Sequence, residues 1–517
     1  MKKSTGKLKD KRILIVNCYF DELRIPIRHR MKLPHPMTPA YLAGLFCPKH
    51  CEIRLYNEIY SGPLEDERLL AFPDMLILTG LNTSFDRMLH ITAYARTKNS
   101  KVVVVAGGPA IRALPHYSKN FFDYPCTGDI EQLGEVIEEV FGKAYLSESF
   151  LKSGWVIPRY DLVYWTKLLS YVESSRNCYF RCSYCSLTAE KGKYQPYEIE
   201  YLRRQFLALG KQKFVHFLDN NFASPDQKFL LDRFELLREM WEKGYFHKWT
   251  AEVTSDFFLS EKNLELACDS GCGALFCGIE SFDRQTLLHF KKYQNMNLPQ
   301  VAMIRNCLET GIAFHYGIVL DLTTRPIAEL RAELDFIIGT SEITLPSFLS
   351  LAIPLLGSPF FYECLDERLF LANVRLRDLD GTTINLKPLD SLPDAIQFVR
   401  NIQHLRGYKR KIIRRIKGFH GKYKNIIPGM NMVSAQYNAL LLCAPKLSTL
   451  GFTGGRHFLN GQRNGPRTFI GPTEPLDAVY RPAFPIDSRY ASYFQPTMLT
   501  DQEGYLVEGL HQDLGRD

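Results

Sequence analysis

From Arg12 to about Ala144 short apolar runs alternate with stretches of helical length. The runs are Ile13–Asn17 (ILIVN), Glu52–Asn57 (EIRLYN), Met75–Gly80 (MLILTG) and Val102–Gly108 (VVVVAGG). This alternation predicts a mainly parallel sheet with helices on both faces. Ligands of such sheets bind beyond the carboxyl ends of the strands. Two of those ends carry Thr79-Gly80-Leu81 and Gly107-Gly108, where glycine lets a bulky ligand approach the backbone.

A second series runs from Tyr171 to about Pro388: Phe214–Asn221, Trp249–Ser255, Ala274–Ser281, Phe314–Asp321 and Phe348–Pro359. With the strand that leads into Cys178 they make about six βα units, a partial version of the eight-unit barrel, whose chemistry sits at the carboxyl ends of its strands. The expected fold class is α/β. A Rossmann-like doubly wound sheet spans residues 1–145, and a linker carrying Pro158 spans 146–170. A partial (β/α)6 barrel of TIM type follows over 171–388, and a mostly helical region over 389–517 is expected to cover the barrel mouth.

Composition adds boundaries. The chain has 517 residues, 45% hydrophobic and 23% charged, which suits a globular protein of two or three domains. Its charged start leads straight into a strand pattern rather than a signal peptide, and thirteen cysteines at irregular spacing read as reduced thiols; the expected location is the cytoplasm. The longest uncharged stretch, Phe348–Phe361, is broken by Pro354 and Pro359 and falls short of the ~20 residues of a bilayer span. A net charge of +8 is mild and does not point to nucleic acid.

Cys178, Cys182 and Cys185 stand as Cys-x3-Cys-x2-Cys in SSRNCYFRCSYCSL. Three thiolates on one loop can hold three irons of a four-iron cluster and leave the fourth open to a ligand that is not protein. The competing reading, a structural zinc knot, wants four closed ligands, commonly from paired Cys-x2-Cys units. No comparable second pair lies nearby in the sequence.

With Tyr184 just before its last cysteine, this triad resembles the cluster loop of the radical S-adenosylmethionine (radical SAM) enzymes. The resemblance implies a [4Fe-4S] cluster on Cys178, Cys182 and Cys185, whose open iron is chelated by SAM and whose electron splits SAM to a 5'-deoxyadenosyl radical. Other elements are similar to the same superfamily. Asp219-Asn220-Asn221-Phe222 resembles an Asp-Asp-x-Phe element, with Asn220 in place of the second acid, and implies contacts from Asp219, Asn220 and Asn221 to the SAM ammonium. Gly278-Ile279-Glu280-Ser281 matches Gly-Ile-Glu-Ser and implies that Glu280 and Ser281 hold the ribose or methionine end. Gly317-Ile318-Val319 implies an apolar seat for adenine at Ile318 or Val319. Glu252 and the pair Lys291-Lys292 are secondary candidates.

Thr79, Leu81, Gly107 and Gly108 match the Ser/Thr-x-Leu and Gly-Gly elements of the cobalamin-binding domain found ahead of the barrel in one subgroup. The Asp-x-His-x-x-Gly segment is absent from residues 1 to 150, as in several members, so cobalamin binding and a scaffold role both stay open. The resemblance implies SAM, the cluster and cobalamin as cofactors, a small-molecule or lipid-like substrate, and an electron donor such as flavodoxin or ferredoxin. The expected reaction is cobalamin-dependent methyl transfer. The alternatives are a cobalamin-independent or non-methylating radical SAM reaction (cyclisation, oxidation, rearrangement) with the first sheet as scaffold and, remotely, a nonenzymatic zinc or nucleic-acid binder. Toward the carboxyl terminus, Arg406–Lys424 is basic and amphipathic; it reads as a solvated surface helix or a peripheral membrane contact. Gly451–Arg467 is a Gly- and Arg-rich loop and a weak anion site.

Overall fold

The first sheet has five strands, β1 (Lys11–Asn17), β2 (Cys51–Asn57), β3 (Met75–Thr79), β4 (Val103–Gly107) and β5 (Tyr124–Cys126). Their order is β2-β1-β3-β4-β5, and every neighbouring pair is parallel. In this computed structural model, residues 10–19, 36–165, 169–381, 383–404, 408–443 and 482–515 are described. The runs are apolar throughout because both faces are covered. Ile13, Ile15 and Ile77 face one layer with Val136 and Ile137 of the helix Ile130–Phe141. Leu14, Val16 and Leu78 face the other with Met88 and Ile91 of the helix Phe85–Lys98. The short fifth strand had no signature in the sequence, being three residues with a central proline.

The second sheet is the expected six-stranded, open half barrel. After β6 (Leu169–Val172), a ribbon of β7 (Ser175–Arg176) and β8 (Gln195–Pro196) brackets the cysteine loop. The sheet continues with β9 (Phe214–Phe217), β10 (Lys248–Val253), β11 (Cys272–Glu280), β12 (Ala313–Leu320) and β13 (Phe348–Leu351). The order β6-β9-β10-β11-β12-β13 is parallel throughout. Alternate residues divide the sheet. Trp249, Leu275 and Tyr316 pack outward on the helices, whereas Thr250, Phe276 and His315 line the lumen. Trp249 is fully buried, stacks on Phe222 and donates its indole N–H to the Ser270 carbonyl at 3.0 Å, so its one polar group is satisfied.

The carboxyl ends of the two sheets meet. Arg112, from the helix after β4, bonds Glu190 behind the cysteine loop at 2.5 Å and Asp129 after β5 at 3.1 Å. Arg176 bonds Glu131 at 2.8 Å. Phe290 and Phe360 of the barrel enter the same apolar cluster as Phe85 and Met88.

The described part of residues 389–517 forms two groups. Helices Leu392–His404, Lys409–Tyr423 and Gly429–Cys443 pack on the barrel core. Asn431 bonds the Gly311 carbonyl and Ser434 bonds His315, both toward the amino end of β12. Residues 482–515 cover the helix Phe85–Lys98, with Phe494 stacked on His90. In the basic helix, Ile412 and Phe419 face the core and Ile413 is exposed. Arg415 is buried and donates to the carbonyls of Ile337, Ile338, Thr340 and Ile343. The Gly451–Arg467 loop lies outside the described residues. Among those described, no helix is long and apolar enough to cross a membrane.

Candidate active site

Asp219, just beyond β9, is fully buried. Its carboxylate accepts hydrogen bonds from the Ser174 N–H (2.8 Å), the Ser174 hydroxyl (2.6 Å), the Ser175 hydroxyl (2.6 Å) and Arg233 (3.4 Å). Arg233 comes from the helix Gln227–Glu242, also bonds the Ser174 hydroxyl and the Phe222 carbonyl, and lies 3.5 Å from the Phe222 ring centre. Burial pushes the Asp219 carboxyl up and the Arg233 guanidinium opposes it. This buried pair pins Ser174 and Ser175 three residues ahead of Cys178. Asp219 therefore anchors the cysteine loop through its own chain partners.

On that loop Cys182 is buried, and Cys178 and Cys185 are half-buried. The Phe180 N–H points at the Cys178 sulfur, the Leu187 N–H at the Cys185 sulfur, and Gln294 Nε2 lies 3.5 Å from Cys182 Sγ. Burial pushes the Cys178 thiol up and the Cys185 thiol up to about 11, and each thiol is raised further by its neighbours' charge. Deprotonation on metal binding therefore depends on those N–H donors and on the metal. Among the described residues no three His, Cys, Asp or Glu side chains close on an ion-sized point. Three thiols on one loop, with the Phe180 and Leu187 N–H groups and the Gln294 amide turned to them, are a donor set that suits an iron–sulfur cluster.

The Tyr184 hydroxyl donates to Glu280 Oε1 at 2.8 Å, and Lys292 Nζ lies 3.1 Å from both. Glu280 has φ +64° at a bulge that shifts the β11–β12 register between Gly278 and Glu280. Non-glycine residues held in this region are strained and concentrate at functional sites. The bulge turns the carboxylate to the strand end, where it meets Lys292. An ideal Cβ on Gly278 would stand 2.4 Å from Glu280 Oε1 and 3.0 Å from Lys292 Nζ. Gly278→Ala is therefore expected to cost ~1–3 kcal/mol in denaturant unfolding, as overpacking does. Gly421→Ala, with nothing within 4 Å on an exposed helix face, should instead stabilise by ~0.5–1 kcal/mol.

The other predicted residues divide. Asn220 is exposed at the mouth. Asn221 is buried, donates to Thr254 Oγ1 (2.8 Å) and accepts from the N–H groups of Thr254 and Ala223 (both 3.1 Å). The Ser281 hydroxyl donates to Glu333 at 2.7 Å, beside Arg325. Ile318 is fully buried in the core on the outer side of β12, and half-buried Val319 occupies the alternate face. In the first sheet, Thr79 is buried at the end of β3 and Leu81 is 70% exposed. Gly108, at φ +125°, is forced by the backbone, because a Cβ there would lie 2.4 Å from the Gly80 carbonyl. Gly107 has no such constraint: its nearest neighbour would be 3.9 Å away.

Of two luminal features, His216 carried no signal in the sequence and Glu252 was a secondary candidate. His216 bonds Thr250 at 2.8 Å, and burial pulls it down to about 4, so it is neutral near pH 7. Glu252 opens to the lumen yet lies deep among surrounding protein. Desolvation, and then the charge of Glu280, push it up to about 6. An acid raised above its ordinary 4.5 favours folding at low pH, and that contribution is lost as pH rises through about 6. Glu252→Gln should accordingly melt with the wild type near pH 4 and above it beyond about pH 6. A pH-independent difference would contradict this assignment.

Residues 172–329 match the radical SAM superfamily, whose enzymes use SAM and a [4Fe-4S] cluster and need an electron donor. A bacteriochlorophyllide d C-12(1)-methyltransferase of Chlorobaculum tepidum is 28% identical over 200 residues, which cover 38% of this chain and 42% of that one. An uncharacterized methyltransferase of Synechocystis sp. is 25% identical over 311 residues, 57% of this chain and 56% of that one. The chain thus spans about half the length of these curated relatives. The solved structure of the cobalamin-dependent SAM radical enzyme OxsB, with aqua-cobalamin and SAM bound, superposes with a TM-score of 0.55 at 15% identity. It covers 86% of this chain and 76% of that one, a likeness of fold. Residues 172–329, which carry the cysteine loop at the carboxyl ends of the six-stranded half barrel, are therefore a radical SAM domain, and a parallel five-stranded sheet precedes it.

Proposed function

We propose that this enzyme methylates carbon of a small or lipid-like substrate, with cobalamin seated at the carboxyl end of the first sheet. The observation that carries this reading is the meeting of the two carboxyl ends through Arg112–Glu190 and Arg176–Glu131, which sets both ligand-binding edges toward one space. When bound, the cluster supplies the electron that cleaves SAM and cobalamin supplies a carrier for the methyl group. Gly107, which no atom of the described residues requires, and the exposed Leu81 fit a large flat ligand. Thr79 sits at the same edge. Asn220 and Glu280 border the SAM side, with Glu280 oriented by Tyr184 and Lys292. The stacked rings of Phe276 and Phe348, 5.6 Å apart over Gly317, give the lumen an apolar wall suited to such a substrate. A flavodoxin or ferredoxin fits the role of electron donor. The methyltransferase names of the relatives support the reaction class.

The test is anaerobic reconstitution with iron, sulfide and hydroxocobalamin, followed by desalting and metal analysis. About one cobalt per chain is expected in the wild type. Gly107→Leu should lose it while keeping its iron, because the new side chain enters the corrin's space without touching the cysteine loop. Wild-type protein with a full cluster and no retained cobalt would leave the first sheet as a scaffold.

A further inference from the structure

We infer that Gln294 sets the reduction potential of the cluster on Cys178, Cys182 and Cys185, through the hydrogen bond of its side-chain amide to Cys182. The inference rests on the cluster reading of that loop and adds a positioning residue that no motif of the sequence contains. Gln294 is 3% exposed, and its Nε2 lies 3.5 Å from Cys182 Sγ. A thiolate can only accept, so the amide must present N–H rather than C=O to it.

The turn Tyr293–Met296 that carries Gln294 is fixed on both sides. The Ser255 hydroxyl donates to the Gln294 carbonyl at 2.6 Å, and the Asn295 amide donates to the carbonyls of Gly278 (2.8 Å) and Ile279 (2.9 Å). The turn that carries the donor is therefore held in place by the chain itself.

When the external donor passes one electron to the cluster, the cluster gains one negative charge and the donor is oxidised by one electron. Hydrogen bonds to cluster sulfur and nearby positive charge favour the more negative state and raise the potential. Lys292, buried one turn away, also bears on Cys182, but its charge is balanced at 3.1 Å by Glu280. The neutral amide has no such counterweight. Removing it lowers the potential and makes reduction harder.

The test is a spectroscopic redox titration of the reconstituted holoenzyme, without substrate. Gln294→Leu, of similar size and without a donor, should retain its iron and shift the midpoint downward by about tenfold in the reduction equilibrium, ~59 mV for one electron. Gln294→Glu, which sets an acid against the sulfur, should shift it further. Lys262→Met, on an exposed turn of the helix Glu261–Asp269, should leave it unchanged. A Gln294→Leu midpoint equal to the wild type, at full iron, would overturn the inference. Should that variant fail to take up iron, wild-type enzyme carrying 15N in its glutamine side chains gives the same decision. A glutamine nitrogen hyperfine coupled to the reduced cluster supports the bond, and its absence refutes it. Wild-type protein with no reducible cluster would instead refute the cysteine-loop reading itself.

Discussion

Alanine at any one of Cys178, Cys182 or Cys185 is expected to reduce iron in the reconstituted protein to background and to abolish formation of 5'-deoxyadenosine from SAM and dithionite. On the proposed reading the three sulfurs are all the cysteine ligands that this loop offers a cluster. With one gone, a cube that already has one iron free of protein is held at two corners only. The fold should survive, because Cys178 and Cys185 are half-buried and the loop is pinned by Asp219 and Arg233 rather than by its thiols. Cys277→Ala supplies the contrast. That thiol is fully buried on the outer face of β11 within the barrel core, so its loss should cost stability and leave iron and SAM cleavage intact. Retained cleavage in any of the three loop variants would remove the basis of the assignment.

Arg233→Met should produce the largest loss of stability from a single change, ~3–5 kcal/mol, because it leaves the Asp219 carboxylate buried without its cation. The cost reaches function through the same atoms. Ser174 and Ser175 hang on Asp219, and their release frees the segment that enters the cysteine loop, so iron uptake should fall with stability. Pairing the change with Asp219→Leu removes the stranded charge, and the double variant should recover part of the stability while the loop stays unanchored. Denaturant unfolding of the two single variants and the double gives the coupling. Additive losses would mean that the pair does not act as a unit.

The hydrophobic runs exposed much of this architecture: Met75–Thr79, covered on both faces, is buried along its whole length and could be read directly. The cysteine loop was equally plain, since its spacing is the chemistry. What lay hidden depended on partners distant in sequence. Asp219 stands 44 and 45 residues from the serines it holds, and nothing at its own position separates a carboxylate facing a ligand from one gripping a loop. The bulge before Glu280 pairs that residue with Ile318 and sets where its carboxylate points, a one-residue matter that a hydrophobic run cannot encode. Gln294 carries no motif at all. Nor does the basic helix announce its partners: Arg415, and Asn431 of the helix after it, find carbonyls around the amino ends of β12 and β13.

Mössbauer spectroscopy of the reconstituted protein, recorded before and after adding SAM, tests the open iron most directly. The account predicts a four-iron cluster in which one site differs from the other three and shifts when SAM is added. Four sites indifferent to SAM, or thiols occupied by zinc in place of iron, would contradict it.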